Sequence, residues 1–195
     1  MVQRDVPPAI AERLRNAAAT FAEMGFEAAR IDDLSAATDV PSSTIYYYLA
    51  GKEGLLEFLL ADWLDAVARS VAEAVQGLGD APAPARLRAV IAAQLQLMRE
   101  QPATCRVLLA ENGRIARLPE IAEGVQAAFH RPVEKVLLEG QDEGSIRDVD
   151  VEVTTAAVYG AVTFAGLHYV VTDRDLSGDL AEQLAAMVLG GIGIS

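Results

Sequence analysis

Between residues 42 and 52 the chain reads SSTIYYYLAGK: three hydroxyl side chains, then three consecutive tyrosines, then a lysine. At about 100° per residue, Ile45 and Leu49 define one side of a short helix. Ser43, Thr44 and Tyr47 then point away from that side, with Ser42, Tyr46 and Tyr48 on the flanks. Three adjacent tyrosines on so short a helix cannot all be buried, so at least one is exposed. The chemistry on offer is hydrogen bonding to phosphate, because Ser, Thr and Tyr donate through their hydroxyls while the helix N-terminus adds free N–H groups and partial positive charge. Lys52, opening the next helix, offers a second N-terminal clamp of the same kind. The competing reading is structural, with the tyrosines packing and the serines only capping.

These residues need elements to hold them. Apolar spacing predicts a first helix over about 9–24, with Ile10, Leu14, Ala17, Ala18 and Phe21 on one face and Gly25 as its stop. A short helix over about 32–38, a tight turn and a second short helix over about 42–49 suggest helix-turn-helix. Leu34, Ala37, Val40, Ile45 and Leu49 are the apolar residues available to hold that pair against the first helix. A long helix over about 52–75 follows, carrying Leu55, Leu56, Leu59, Leu60, Trp63 and Val67 until Gly77, Gly79, Pro82 and Pro84 break it.

The segments GFEA, IDDLSAATDV and STIYYYLAGKEGLL, with the amphipathic helix before them, resemble the tetracycline-repressor (TetR) family of bacterial transcriptional regulators over about residues 9–60. Aromatic cluster, Lys-Glu pair and Leu-Leu fall at family spacing. The resemblance implies DNA contacts at Ser42, Ser43, Thr44, Tyr46, Tyr47, Tyr48 and Lys52, and places Arg30 at a frequent phosphate-contact position. It departs from the family at Asp39, where Gly is preferred, at Pro41, where Ser is usual, and at Ser35 and Thr38, where alanine is favoured. Asp tolerates the left-handed conformation that such a turn needs, and the preset φ of proline suits a helix start.

Beyond residue 60 the pattern is helical at about 84–100, 103–116, 121–139 with a kink or restart at Pro132, 151–171 and 180–189, with 140–150 as a polar loop. The expected fold is all-α: an N-terminal three-helix helix-turn-helix DNA-binding domain over 1–51 and a larger helical ligand-binding and dimerisation domain over 52–195. The resemblance implies that the last two helices form a four-helix dimer interface. The residues agree, since 151–171 is apolar on nearly every side, Gly160, Ala161, Ala165 and Gly166 permit close helix approach, and Leu184, Met187 and Val188 add apolar surface. A homodimer would place two recognition helices about 34–36 Å apart on a near-palindromic operator.

For a small-molecule effector, the clue is polarity on an apolar face. Gln94 interrupts the stripe Leu87, Val90, Ile91, Met98, and a buried amide needs a partner, either a ligand or a neighbouring backbone group. Trp63, Asn112, Phe129, His130, Phe164 and His168 are further candidates, each with a core or surface role as its alternative. The surrounding Leu, Val and Ala favour an apolar or amphipathic effector.

Composition narrows the alternatives. With 28 acidic and 16 basic residues the formal charge is −12, against indiscriminate polyanion binding, and 52% hydrophobic residues exclude disorder. The one cysteine, Cys105, excludes an intramolecular disulfide and a cysteine-built metal site. The two histidines, His130 and His168, lack helical metal-ligand spacing, and phosphate-loop, nucleophile-elbow and dinucleotide motifs are absent, so neither enzyme activity nor a cofactor is expected. No signal-peptide pattern opens the chain, and its longest mostly apolar run, 156–171, is short for a membrane span, so a cytoplasmic protein without a membrane partner is expected. The rival reading is a helical small-molecule-binding or adaptor protein that has lost specific DNA binding.

Overall fold

The computed structural model of the chain describes residues 5–111, 113, 118–172, 174 and 178–192, and every regular element among them is helical. The first helix is two: α1 (Pro8–Leu14) and α2 (Ala17–Met24), joined through Arg15 and Asn16 by a tightened turn in which the Asn16 N–H bonds Arg13 O and the Ala18 N–H bonds Arg15 O. Asn16, a poor residue for a helix interior, marks that junction. Gly25 ends α2 at φ 77°, a conformation that favours glycine. Then come α3 (Ile31–Thr38), α4 (Ser42–Leu49), α5 (Lys52–Gln76), α6 (Ala83–Glu100), α7 (Pro102–Ala110), α8 (Pro119–Val125), a π-helical turn (Gln126–His130), α9 (Arg131–Asp142), α10 (Val151–Val171) and α11 (Gly178–Ile192).

The chain forms two compact units, one of residues 1–63 with 103–121 and one of residues 64–102 with 122–195. The sequence suggested a division at residue 51, but the first three turns of α5 bury Leu55, Leu56, Leu59, Leu60 and Trp63, and these belong to the first unit. Cys105 is fully buried there, and burial pushes its thiol up to about 12.

In the second unit, the expected restart at Pro132 is the π-helical turn before it. Proline has no N–H for the carbonyl four residues earlier, that of Ala128, and the buried Gln94 side chain fills the vacancy, its Nε2 donating to Ala128 O at 3.1 Å. Gln94 thus takes the backbone-bonding role. The polar loop expected from residue 140 begins later, because α9 runs on to Asp142. Gly140 is buried in its last turn, where a Cβ would lie 2.6 Å from Ile146 Cδ1 and 2.8 Å from Ala83 Cβ. The following loop is tied down: Glu143 accepts from the Ser145 hydroxyl and from the Ala83 N–H, which together hold its carboxyl below the usual range, and Arg86 pairs with Glu139 and Glu143.

By length and composition the 21-residue α10 could cross a membrane, unlike the shorter apolar run 156–171 within it. Here Thr155, Val158, Val162, Thr163, Gly166, Leu167 and Val170 face its own core instead. Gly166 sits against Met98 and Leu95, since a Cβ would meet Met98 Sδ at 2.6 Å. Gly166 and the buried Leu184 therefore serve the interior, which corrects their expected place in a dimer interface. Phe164, 66% exposed, and the exposed His168 are likewise corrected as interior pocket residues. They lie on the outer face of α10, in a stripe with Val153, Ala157, Gly160 and Val171, while Ala186 and Met187 are exposed on α11.

Two outcomes test this packing. Gln94→Leu strands a buried carbonyl and should cost about 1–3 kcal/mol, read as a lower Tm in thermal unfolding. Cys105 should resist alkylation at pH 8 in the folded protein and react fully once denatured, because a buried neutral thiol is a poor nucleophile.

Candidate nucleic-acid interface

The helix-turn-helix is α3, the turn at residues 39–41, and α4. Inside, Leu34, Val40, Ile45 and Leu49 are all at most 2% exposed, each contributing about 1.5–3 kcal/mol by burial. Ala37, expected in this core, is exposed, and Thr38 is buried in its place. One helical turn from Leu34, Thr38 shares its inward direction, and its hydroxyl solves the polarity problem by donating to Leu34 O at 2.7 Å while accepting from the Val40 N–H at 3.3 Å. Ser35 Oγ donates to Val40 O at 2.8 Å.

Asp39 stands at φ 51°, the left-handed conformation its residue type tolerates. Arg13 binds both Asp39, at 2.6 Å, and Thr38 O, at 3.3 Å, so α1 caps the end of α3. Pro41 is the N-cap of α4, with its carbonyl accepting from Thr44 and Ile45, and its missing N–H lies outside the helix ladder. The residues that depart from the family pattern are thus the ones that lock this turn. Arg13 lies 25 residues away, and nothing local in the sequence signals its part.

Outward, α4 presents Ser43, Tyr46 and Tyr47 to solvent, the tyrosines 57% and 58% exposed. Ser42, Thr44 and Tyr48 are half-buried. Ser42 Oγ donates to Asp32 Oδ1 at 3.3 Å, and the Tyr48 ring meets Tyr47 edge-on with centroids 4.9 Å apart. Arg30 is exposed at the N-cap of α3, where its own N–H donates to Asp33 Oδ2 at 3.0 Å. An open cleft of about 650 Å³ lies between the start of α3 and the start of α5, lined by Arg30, Ile31, Tyr46, Gly51 and Lys52. Lys52 is not a free cation there: its Nζ donates to the carbonyls of Phe26, Glu27 and Ala29 at 2.9, 3.2 and 3.3 Å.

Of the effector candidates, Met98, Phe129 and Gln94 are buried in the second unit, where the Phe129 and His130 rings approach the Tyr159 ring at 5.5 and 4.6 Å. Trp63 is buried in the first unit, and Asn112 lies outside the described residues. Sequence reasoning passed over Tyr159 and Thr155 on the inner side of α10. The signal was a polar residue every fourth position (155, 159, 163) in an otherwise apolar helix.

An all-helical chain whose helix-turn-helix turns hydroxyls outward beside an arginine defines a DNA-binding regulator. Its residues 14–59 match the model of bacterial regulatory proteins of the tetR family, and residues 80–192, more than half of the chain, match the tetracyclin repressor-like C-terminal domain. The chain belongs to the tetR family, whose members bind operator DNA, dimerise and respond to small-molecule effectors; it is a transcriptional regulator and not an enzyme. It is similar to the HTH-type transcriptional repressor KstR2 of Mycobacterium tuberculosis, 27% identical over 187 residues that cover 93% of this chain and 91% of that one. The solved structure of that protein, a ketosteroid transcriptional regulator, superposes with a TM-score of 0.73 at 26% identity over the full length of both chains. The FadR regulator of Bacillus subtilis, solved in complex with stearoyl-CoA, shares the fold with a TM-score of 0.80 at 21% identity, over 93% of this chain and 98% of that one.

Thr38→Val keeps the shape but strands the Val40 N–H in the turn. It should destabilise the protein by about 1–3 kcal/mol, read as a lower Tm.

Proposed function

We propose that the protein is a cytoplasmic, homodimeric repressor that reads a near-palindromic operator through α4 and releases it when a small apolar or amphipathic molecule binds residues 52–195, with no membrane partner. The observation that carries the reading is the outward array on α4, where Ser43, Tyr46 and Tyr47 stand exposed beside Arg30 while Ile45 and Leu49 anchor the opposite side. Ser42, Ser43 and Thr44 lie in the first turn of α4, suited to phosphate through hydroxyls and helix N–H groups. Tyr46 and Tyr47, flanked by Tyr48, are long enough to reach base edges or sugar from the same helix. Arg30 supplies a cation at the start of α3.

The outer stripe of α10, with Gly160 open to a close neighbour and Phe164 projecting, and the exposed Met187 beside the half-buried Val188 on α11, support a dimer built from these two helices. Ala161 and Ala165, both half-buried, border that stripe and keep the approach close. Such an interface fixes the spacing of two α4 helices, and about one duplex turn between them suits a symmetric site.

Support for an oxygen-bearing apolar effector comes from the inner side of α10. Thr155 is buried with its hydroxyl lacking a hydrogen-bond partner among the described residues, and burial pushes the Tyr159 phenol up, so both present neutral hydroxyls among apolar neighbours. The ketosteroid and stearoyl-CoA relatives point to the same chemical range. An effector that binds one arrangement of α5 better than another would shift the population off DNA, since α5 runs from the first unit into the second.

With the DNA fragment upstream of its own gene as probe, Tyr47→Ala should weaken binding by about tenfold or more, on the scale of one lost base or backbone contact, at unchanged Tm. Equal affinity would remove α4 from the interface. Stearoyl-CoA should lower the affinity for that fragment by about 5–150-fold, and the fragment should lower the affinity for stearoyl-CoA by the same factor. Free CoA should do neither, and no cross-effect would dismiss the acyl class. If no upstream fragment binds even at low salt, the protein is the adaptor rather than the repressor.

A further inference from the structure

Lys52 stands at the family's phosphate-contact position, but its ammonium is already surrounded. We infer that Lys52 is a positioning residue of the reading unit: it fixes the turn of residues 25–30, and through that turn Arg30 and the start of α3, and it does not neutralise an operator phosphate. The inference rests on the DNA-reading function proposed above.

Three carbonyls of this turn are met by a side chain from the first turn of α5. The turn of residues 25–30 is closed by the Ala29 N–H bonding Gly25 O, after which the backbone turns extended at Arg30. The N–H that would serve Phe26 O in a continuing helix is that of Arg30, and it is taken by Asp33. Phe26 O, Glu27 O and Ala29 O converge on Lys52 Nζ, which has three donors and meets three acceptors. The same Nζ lies 4.6 Å from the centroid of the Phe26 ring, whose other contacts include the Phe21 ring of α2 at 5.7 Å. A compact ammonium on a long stem thereby ties the first turn of α5 to the segment between α2 and α3. To reach a phosphate it would have to abandon all three carbonyls and the ring.

Arg30 lies at the end of that segment, as N-cap of α3. A loosened turn would move both its guanidinium and the N-terminal N–H groups of α3 relative to α4. Loss of Lys52 should therefore weaken DNA binding without removing a cation from the phosphate count.

The test compares Lys52→Met with wild type in two measurements: Tm of the DNA-free protein, and the slope of log affinity against log salt for the fragment upstream of its own gene. We expect a Tm lower by about 3–6 °C, the scale of losing a charged hydrogen-bond cluster in a chain of this size, an affinity lower by about tenfold, and an unchanged salt slope. A slope shallower by about 0.9 per lysine removed would mean a neutralised phosphate and overturn the inference, as would an unchanged DNA-free Tm. Should Lys52→Met fail to fold, Lys52→Arg decides: it keeps the charge but not the compact three-donor head, so a lower Tm supports positioning and a wild-type Tm overturns it. If wild type binds no fragment, the DNA-reading proposal fails while the Tm comparison still judges the turn.

Discussion

The scarcity of uncommitted positive charge in the DNA-reading region is the constraint on which the rest of this structure turns. Residues 1–56 hold five basic side chains against eight acidic ones. Among the described residues of that stretch, Arg13 is paired with Asp39, Arg15 with Asp62 through two hydrogen bonds at 2.7 and 2.9 Å, and Lys52 with three carbonyls. Arg30 is the cation whose guanidinium has no ion-pair partner there. Charge that most DNA-binding surfaces direct at phosphate is directed inward, at holding the reading helices in register. On the proposed reading, what remains for DNA besides Arg30 is a set of neutral donors at fixed positions: hydroxyls of α4, backbone N–H groups and helix N-termini.

Neutral donors reward geometry and little else. Unlike a mobile lysine, a tyrosine hydroxyl on an eight-residue helix meets its acceptor only if the helix is correctly placed. This gives physical sense to the small devices around the turn: Thr38 bridging Leu34 O and the Val40 N–H, Ser35 on Val40 O, Arg13 capping α3, and Asp39 in the left-handed conformation. In the proposed dimer the same logic extends to assembly, since spacing between two reading helices must substitute for electrostatic attraction. An effector that alters that spacing then needs only a modest displacement to abolish binding.

The periodic features were legible in the sequence because their signal is local. The bounds of α4 and α10, the inward pair Ile45 and Leu49, and the exposure of tyrosines on α4 follow from a 3.6-residue period and the size of the side chains. Features set by partners distant in sequence were not. The bonds of Lys52 to the carbonyls of Phe26, Glu27 and Ala29 have no local sign in the sequence, and Gln94 admits either a ligand or a backbone partner until Pro132 removes the donor that Ala128 O required. Gly140 reads as a loop glycine because only the fold shows Ile146 and Ala83 packed where its side chain would be. Phe164 and His168 could be read as pocket, core or surface because α10 is apolar on nearly every side, and sequence cannot say which of two apolar sides meets the protein's own core.

The acidity that first argues against a nucleic-acid partner therefore argues only against an indiscriminate one. Its sharpest consequence is counterion release, which counts the cations that actually meet phosphate, at about 0.9 per contact. Measuring the affinity of the protein for the fragment upstream of its own gene between about 50 and 200 mM salt gives that slope directly. Arg30 is the available cation among the described residues of 1–56. Even with Arg4 counted from the sequence for both protomers of the proposed dimer, the slope should be no steeper than about −4. A slope of about −7 or steeper would show that cations held here in internal bonds turn to phosphate on binding, and would contradict an interface built on placed neutral donors.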